Sequence, residues 1–202
     1  MVSPIRQQLK RETTGLHRRL ETDLGLLEAD LSLDRYRRIL ELFFGFYSPI
    51  EAGMSHRVSA GLELEFPLRA RAGLIESDLR SIGLSSCQVA GLRRCADLPP
   101  LSSREELAGC LYVIEGACLG GQFIAPVLRD RLGVAQTCGA SFFIGDAERT
   151  RERWSLFLIW IEDLVRAGAA AEEIITSACA TFLAFARWVE QAGFATGQSL
   201  TD

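Results

Sequence analysis

Apolar residues recur at intervals of three and four along nearly the whole chain. In the stretch IRQQLKRETTGLHRRLETDL, residues 5–24, Ile5, Leu9, Leu16 and Leu20 fall broadly on one face and arginines on the other, the period of an amphipathic helix. A second run, 32–58, follows Ser32, a good N-cap residue, and carries Pro49. A bend or break is expected there, because proline lacks the N–H that the helix needs. Residues 68–83 read as a third helix with Gly83 as its C-cap. After ADLPPL, the pairs Ser102/Glu105 and Ser103/Glu106 both fit a capping box that opens a long helix. Two more helical runs, 146–168 and 170–193, complete the set, the latter closing at Gly193. No segment alternates polar and apolar residues between turn signals, so no sheet is expected. No repeat, low-complexity tract or linker divides the chain, and residues 1–202 read as one all-α domain of about six to eight helices.

The most apolar run is LAGCLYVIEGACLGGQFIAPVL, residues 107–128, and it contains Gly116, Gly120 and Gly121. Each interior glycine costs a helix roughly 0.8–1 kcal/mol relative to alanine. Glu115 and Gln122 interrupt the run and no comparable second segment exists, so a buried central helix fits better than a membrane span. Positions i, i+4 and i+5 cluster on one face. Such a bare face serves either close helix–helix packing or the approach of a ligand to backbone.

Composition narrows the partners more than the chemistry. A chain of 202 residues can bury about 70% of its unfolded surface without staples. A net charge of −4 gives no reason to expect nucleic acid or an anionic membrane. Lys10 is the sole lysine and every other cation is arginine, a bias that genome composition would explain. The six cysteines include no CxxC pair, and neither histidine sits near a cysteine cluster that would suggest zinc. With no signal-peptide pattern at the N-terminus, free thiols in a reducing cytoplasm are the expectation.

His17 has Glu21 one helical turn later. A carboxylate on one ring nitrogen fixes the tautomer and leaves the other nitrogen free to coordinate a metal. The same spacing is also common as a plain surface pair. His56 has no such partner and reads as a solvated residue near a helix end. Iron bound by one histidine, without a second protein ligand nearby, suggests heme rather than a protein-only metal site. A flat macrocycle clamped between two helices needs a histidine from one and bare backbone from the other, which Gly116, Gly120 and Gly121 would provide.

LKRETTGLHRRLE together with YVIEGACLGGQ resembles the heme oxygenase family, in particular its bacterial, biliverdin-producing branch, often linked to bacterial phytochromes. Length, helix order and the TFLAFARWVE ending fit as well. The resemblance implies a multi-helix bundle with heme sandwiched between a proximal helix and a glycine-rich distal helix. It makes His17 the iron ligand and Glu21 the carboxylate holding its imidazole. Lys10 and Tyr112 match positions that contact the heme propionates, and Arg153 is the arginine expected to help them. In the better-known pattern an aspartate follows the first distal glycine and organises water near oxygen; this chain has Ala117 there.

The implied reaction opens heme to biliverdin with release of iron and CO, consuming O2 and external electrons. Neutral histidine pushes O–O cleavage less than a thiolate ligand does. With Lys10 in its usual place the α meso position is favoured. Electrons would come from a ferredoxin or reductase, and a bacteriophytochrome could accept the biliverdin. Arg6, Arg11, Arg18 and Arg19 would offer an acidic donor a docking surface, or form the solvated face of an amphipathic helix. Two alternatives stay open. A heme carrier or sensor that does not degrade its ligand would suit Ala117, and a thiaminase-like relative would keep only the fold.

Overall fold

The computed structural model describes residues 3–145 and 147–194; the remaining positions of the expected 1–202 domain, and the side chains at 118, 122, 147 and 148, lie outside the described residues. Eight helices follow one another among them: α1 Pro4–Leu24, α2 Leu33–Ser59, α3 Ala72–Ser81, α4 Ser86–Ala90, α5 Arg104–Leu132, α6 Ser141–Ile144, α7 Ala147–Arg166 and α8 Ala171–Gln191. The described residues contain no strand, only isolated bridges at Ala135. The short helices α4 and α6 are the two that periodicity does not reveal, since neither completes two turns.

The bundle is organised around α5 and α8, with α1 laid on α8 and α7, and α2 carrying α3. Helix α1 commits Ile5, Leu9, Leu20 and Leu24 to the core. Burying each contributes roughly 1.5–3 kcal/mol, so a charge at Leu9 would undock the helix. Ser103 and Glu106 form the capping box of α5. Helix α5 lies directly against the α8 backbone at Gly109, a glycine the sequence does not single out. A Cβ there would collide with the Ile174 carbonyl oxygen and with Ser177.

Of the bend or break expected at Pro49, the break does not occur, and α2 runs on from Leu33 to Ser59. The carbonyl that loses its partner belongs to Gly45, and the Cys95 N–H donates to it at 2.9 Å. Gly45 permits this because a Cβ there would sit 2.7 Å from the Arg93 oxygen and 2.8 Å from Trp188. The chain around 93–95 thus repairs the hydrogen bond that proline removes.

Helix α3 starts at Ala72 rather than at 68 because the Glu51 carboxylate of α2 accepts the backbone N–H groups of Arg71, at 2.7 Å, and Ala72, at 3.1 Å. Asp78 of α3 in turn caps α6, accepting from Ser141 N–H at 2.7 Å and Phe142 N–H at 2.8 Å. Burial pushes the Asp78 carboxyl pKa up, while those two N–H groups pull it back. Helix α6 is thereby fixed against α3, and its aromatic pair Phe142 and Phe143 packs with Phe43.

Among the described residues no single helix is long and apolar enough to cross a membrane. The long α5 is bent by 53° between Arg104–Gly121 and Phe123–Leu132. Pro126 lies just beyond, and its missing N–H releases the carbonyl four residues earlier, at 122.

Candidate functional site

On α1 the His17 side chain is 50% exposed, with Nδ1 3.3 Å from Glu21 Oε2. Its ring meets Phe182 of α8 edge-on, the centroids 5.9 Å apart at 81°. The carboxylate side and the Phe182 side restrict how the imidazole turns, and Nε2 is left as the nitrogen available to a ligand. Phe182 escapes notice in the sequence because Phe182 and Phe185 look like ordinary core positions; only the packing of α8 on α1 brings one of them to the histidine. His56 stands exposed in the last turn of α2.

The three glycines of α5 turn out to be unlike one another. At Gly121 a Cβ would collide with the Phe143 carbonyl oxygen of α6. Packing therefore accounts for Gly121, a departure from the expectation that all three present bare backbone to a ligand. At Gly116 a Cβ would meet the Trp154 ring at 3.5 Å, an ordinary contact, and at Gly120 nothing nearer than Ile124 Cδ1 at 3.8 Å. Packing gives no reason for glycine at either place. Phe123 lies three residues beyond Gly120 and is 76% exposed, the most exposed of the large hydrophobic side chains described.

The two helices meet at Tyr112. Its side chain lies beside Thr13 of α1, and burial pushes the phenol pKa up against the lowering influence of that neighbour. Thr13 itself donates to the Leu9 carbonyl at 2.7 Å. Thr13 is one turn from His17 on α1, and Tyr112 is one turn from Gly116 on α5, so this proximity relates the two halves of the expected site. Trp154 of α7 packs on Tyr112 with centroids 5.4 Å apart. Lys10 is exposed, and neither it nor Arg18 pairs with an acid among the described residues.

Arg153 is placed otherwise than the resemblance implies. Its Nε and Nη2 grip Glu115 at 3.0 and 2.7 Å, and Nη2 also donates to the Pro67 carbonyl at 2.6 Å. The guanidinium lies 4.4 Å over the Phe66 ring. A group held on these sides is turned toward α5 rather than offered to an anionic ligand. The basic cluster is also partly spent: Arg6 pairs with Glu162, Arg11 with Glu12, and Arg19 with Glu190 and Asp23.

The imidazole of α1 and the open backbone of α5 are the groups that a flat apolar ligand with one metal centre would use. The arrangement supplies an imidazole on α1 with Nδ1 against Glu21, open backbone at Gly116 and Gly120, and the Tyr112 phenol beside Thr13. No group of three or more His, Cys, Asp or Glu among the described residues could cage a bare metal ion. The sequence model of the heme oxygenase family matches residues 3–191. A protein from Xanthomonas campestris pv. campestris (strain 8004) named heme oxygenase is 31% identical over 162 residues, covering 80% of this chain and 90% of that protein. No solved structure matches. With the match extending over nearly all the described helices, from α1 through α8, the chain belongs to the heme oxygenase family.

Proposed function

We propose that the chain cleaves heme oxidatively to biliverdin, with release of iron and CO, using O2 and electrons from an external donor. The observation that carries this reading is His17, with Nδ1 against Glu21 and Nε2 left for iron, on a helix that meets, at Thr13 and Tyr112, the stretch of α5 bearing Gly116 and Gly120. Heme is here both substrate and source of the iron chemistry that activates oxygen.

The chain's own residues hold and orient it. His17 would supply the nitrogen ligand to iron, with Glu21 against Nδ1 leaving Nε2 as the donor. Glycine backbone at Gly116 and Gly120 leaves room over the macrocycle and places no side-chain acid there to split the O–O bond. Gly121, set against Phe143, keeps that segment at its height. Lys10, two turns before His17 on α1, and the Tyr112 phenol would hold the propionates, an orientation that would favour attack at the α meso carbon. Free thiols suit a cytoplasmic setting: Cys87 and Cys138 are exposed, and Cys110 is so deeply buried that its pKa is pushed up to about 12. A ferredoxin or reductase supplies the electrons, docking at Arg18 and its neighbours, and a bacteriophytochrome is a fitting acceptor of the bilin.

The test is a visible spectrum of the protein titrated with hemin, then followed after ascorbate is added in air. A stoichiometric histidine-type Soret band that decays into the broad red absorbance of a bilin is the expected result. A band that persists under a competent reductant would instead favour a heme carrier or sensor, the reading that Ala117 supports. His17→Ala should abolish the histidine-type band while leaving the helical fold intact; an unchanged band would remove the ligand assignment.

A further inference from the structure

Glu115 is the only acid within the apolar run 107–128, and its side chain is 4% exposed. Its partner Arg153 is 14% exposed, and the two are joined by the double contact described above. We propose that the Glu115–Arg153 ion pair is a positioning device: it sets the separation and rotation of α5 against α7 at Gly116, and so the space over which the substrate lies. The substrate part of this rests on the heme-cleaving reading; the setting of α5 does not.

Stability alone is a poor reason for such a pair. Two charges taken out of water lose hydration that their attraction barely restores, and an apolar pair of similar volume commonly serves as well or better. What an arginine fork gives that an apolar contact does not is a fixed distance and a fixed plane. Here the plane is fixed further, by the Pro67 carbonyl at its edge and the Phe66 ring beneath it.

The position of the pair is what suggests the role. Consecutive residues of α7, Arg153 and Trp154, hold consecutive residues of α5, Glu115 and Gly116. Helices ordinarily locate one another by side chains set into grooves. Gly116 and Gly120 have none to offer, so this stretch needs a neighbour to locate it. Glu115 does so at its start, and Gly121, seated on the Phe143 carbonyl, does so at its end. Between these two fixed points lies Gly120, where a Cβ would find open space.

The test compares the wild type with the double variant Glu115→Leu/Arg153→Met, which removes the fork without stranding a charge. Unfolding midpoints, hemin titration and two further readouts are taken on both. In the heme-free protein, amide exchange across 115–121 should quicken about tenfold in the variant, with α8 unchanged. In the hemin-loaded, reduced protein, carbon monoxide serves as probe, and its C–O stretching band should shift and broaden. Turnover should fall roughly 10–100-fold while hemin affinity stays within about threefold, since a misplacement near 1 Å is enough for that. Unchanged exchange and an unchanged C–O band in a folded double variant would overturn the proposal. If the double variant does not fold, Arg153→Lys keeps the charge but loses the fork and should move the same readouts in the same direction; unmoved, they overturn it equally. Failure of the wild type to bind hemin would sink the heme reading alone, because the exchange comparison is made without heme.

Discussion

Glu21 and Glu115 sit on the two helices that form the candidate site, each gripping a nitrogen base, and they do so under opposite conditions. Glu21 is 64% exposed beside a half-exposed histidine, whereas Glu115 is 4% exposed against an arginine that is itself largely covered. Water around Glu21 screens its attraction, so the pair contributes little to folding and leaves the imidazole free for a ligand. Around Glu115 there is little water, and the pair must satisfy itself completely or not exist. One helix offers chemistry at little structural cost; the other is held rigidly and offers only the absence of side chains.

The sharpest way to break that comparison is to remove each carboxylate in turn. Glu115→Leu leaves the Arg153 cation covered and unpaired, and should cost about 3–5 kcal/mol. Glu21→Leu, on the exposed side, should stay within about 0.5 kcal/mol of wild type. Urea unfolding followed by circular dichroism measures both. Equal losses would mean that burial does not separate the two pairs. Next in size comes Gly121→Ala, whose methyl would collide with the Phe143 carbonyl and should cost about 1–3 kcal/mol by overpacking. The same unfolding experiment checks it, and a neutral result would show that α6 is not seated where it is described.

The large helices were legible in the sequence because each is long enough for its apolar period to show and ends on a readable cap, such as the Ser103/Glu106 box or Gly193. Helix α3 starts four residues later than its pattern suggests, because a carboxylate from another helix, Glu51, decides where it begins. Pro49 misleads for a similar reason: the repair comes from Cys95, far along the chain. At the site, His17 and Glu21 were legible since the pair is local to one helix. The division among the glycines was not. Gly116, Gly120 and Gly121 look alike in sequence, and only the arrival of Phe143 and Trp154 distinguishes them. Arg153 was found as a residue but not in its role, because its partner Glu115 lies 38 positions away.

The contact between the helices at Tyr112 can be tested through its proton. Tyr112→Phe removes the half-buried hydroxyl that lies beside Thr13 and should cost about 0.5–1.5 kcal/mol near neutral pH. Burial raises the Tyr112 pKa above its ordinary 10.0 in the folded protein. Above pH 10 the unfolded chain therefore loses this proton while the folded chain keeps it. Stability contributed by the phenol is complete below that pH and is lost as pH rises toward the folded pKa. The gap between wild type and Tyr112→Phe, measured by urea unfolding at neutral pH and again above pH 10, should narrow. A gap that widens would mean that the phenol is not buried beside Thr13 as described.

The smallest expected effect, and the one of opposite sign, is at Gly120. Alanine there meets only Ile124 Cδ1 at 3.8 Å, and the helix gains up to about 1 kcal/mol from the better helix former. The variant should melt higher than wild type, whereas Gly121→Ala melts lower, although the two glycines are neighbours in the sequence. If Gly120 is kept bare for a ligand, the stabilised variant should bind carbon monoxide more weakly in the hemin-loaded, reduced state. Higher stability with undiminished carbon monoxide binding would leave no reason in the site for glycine at 120. Higher stability with weakened binding would show that this chain forgoes helix stability at Gly120 to keep the space above the macrocycle open.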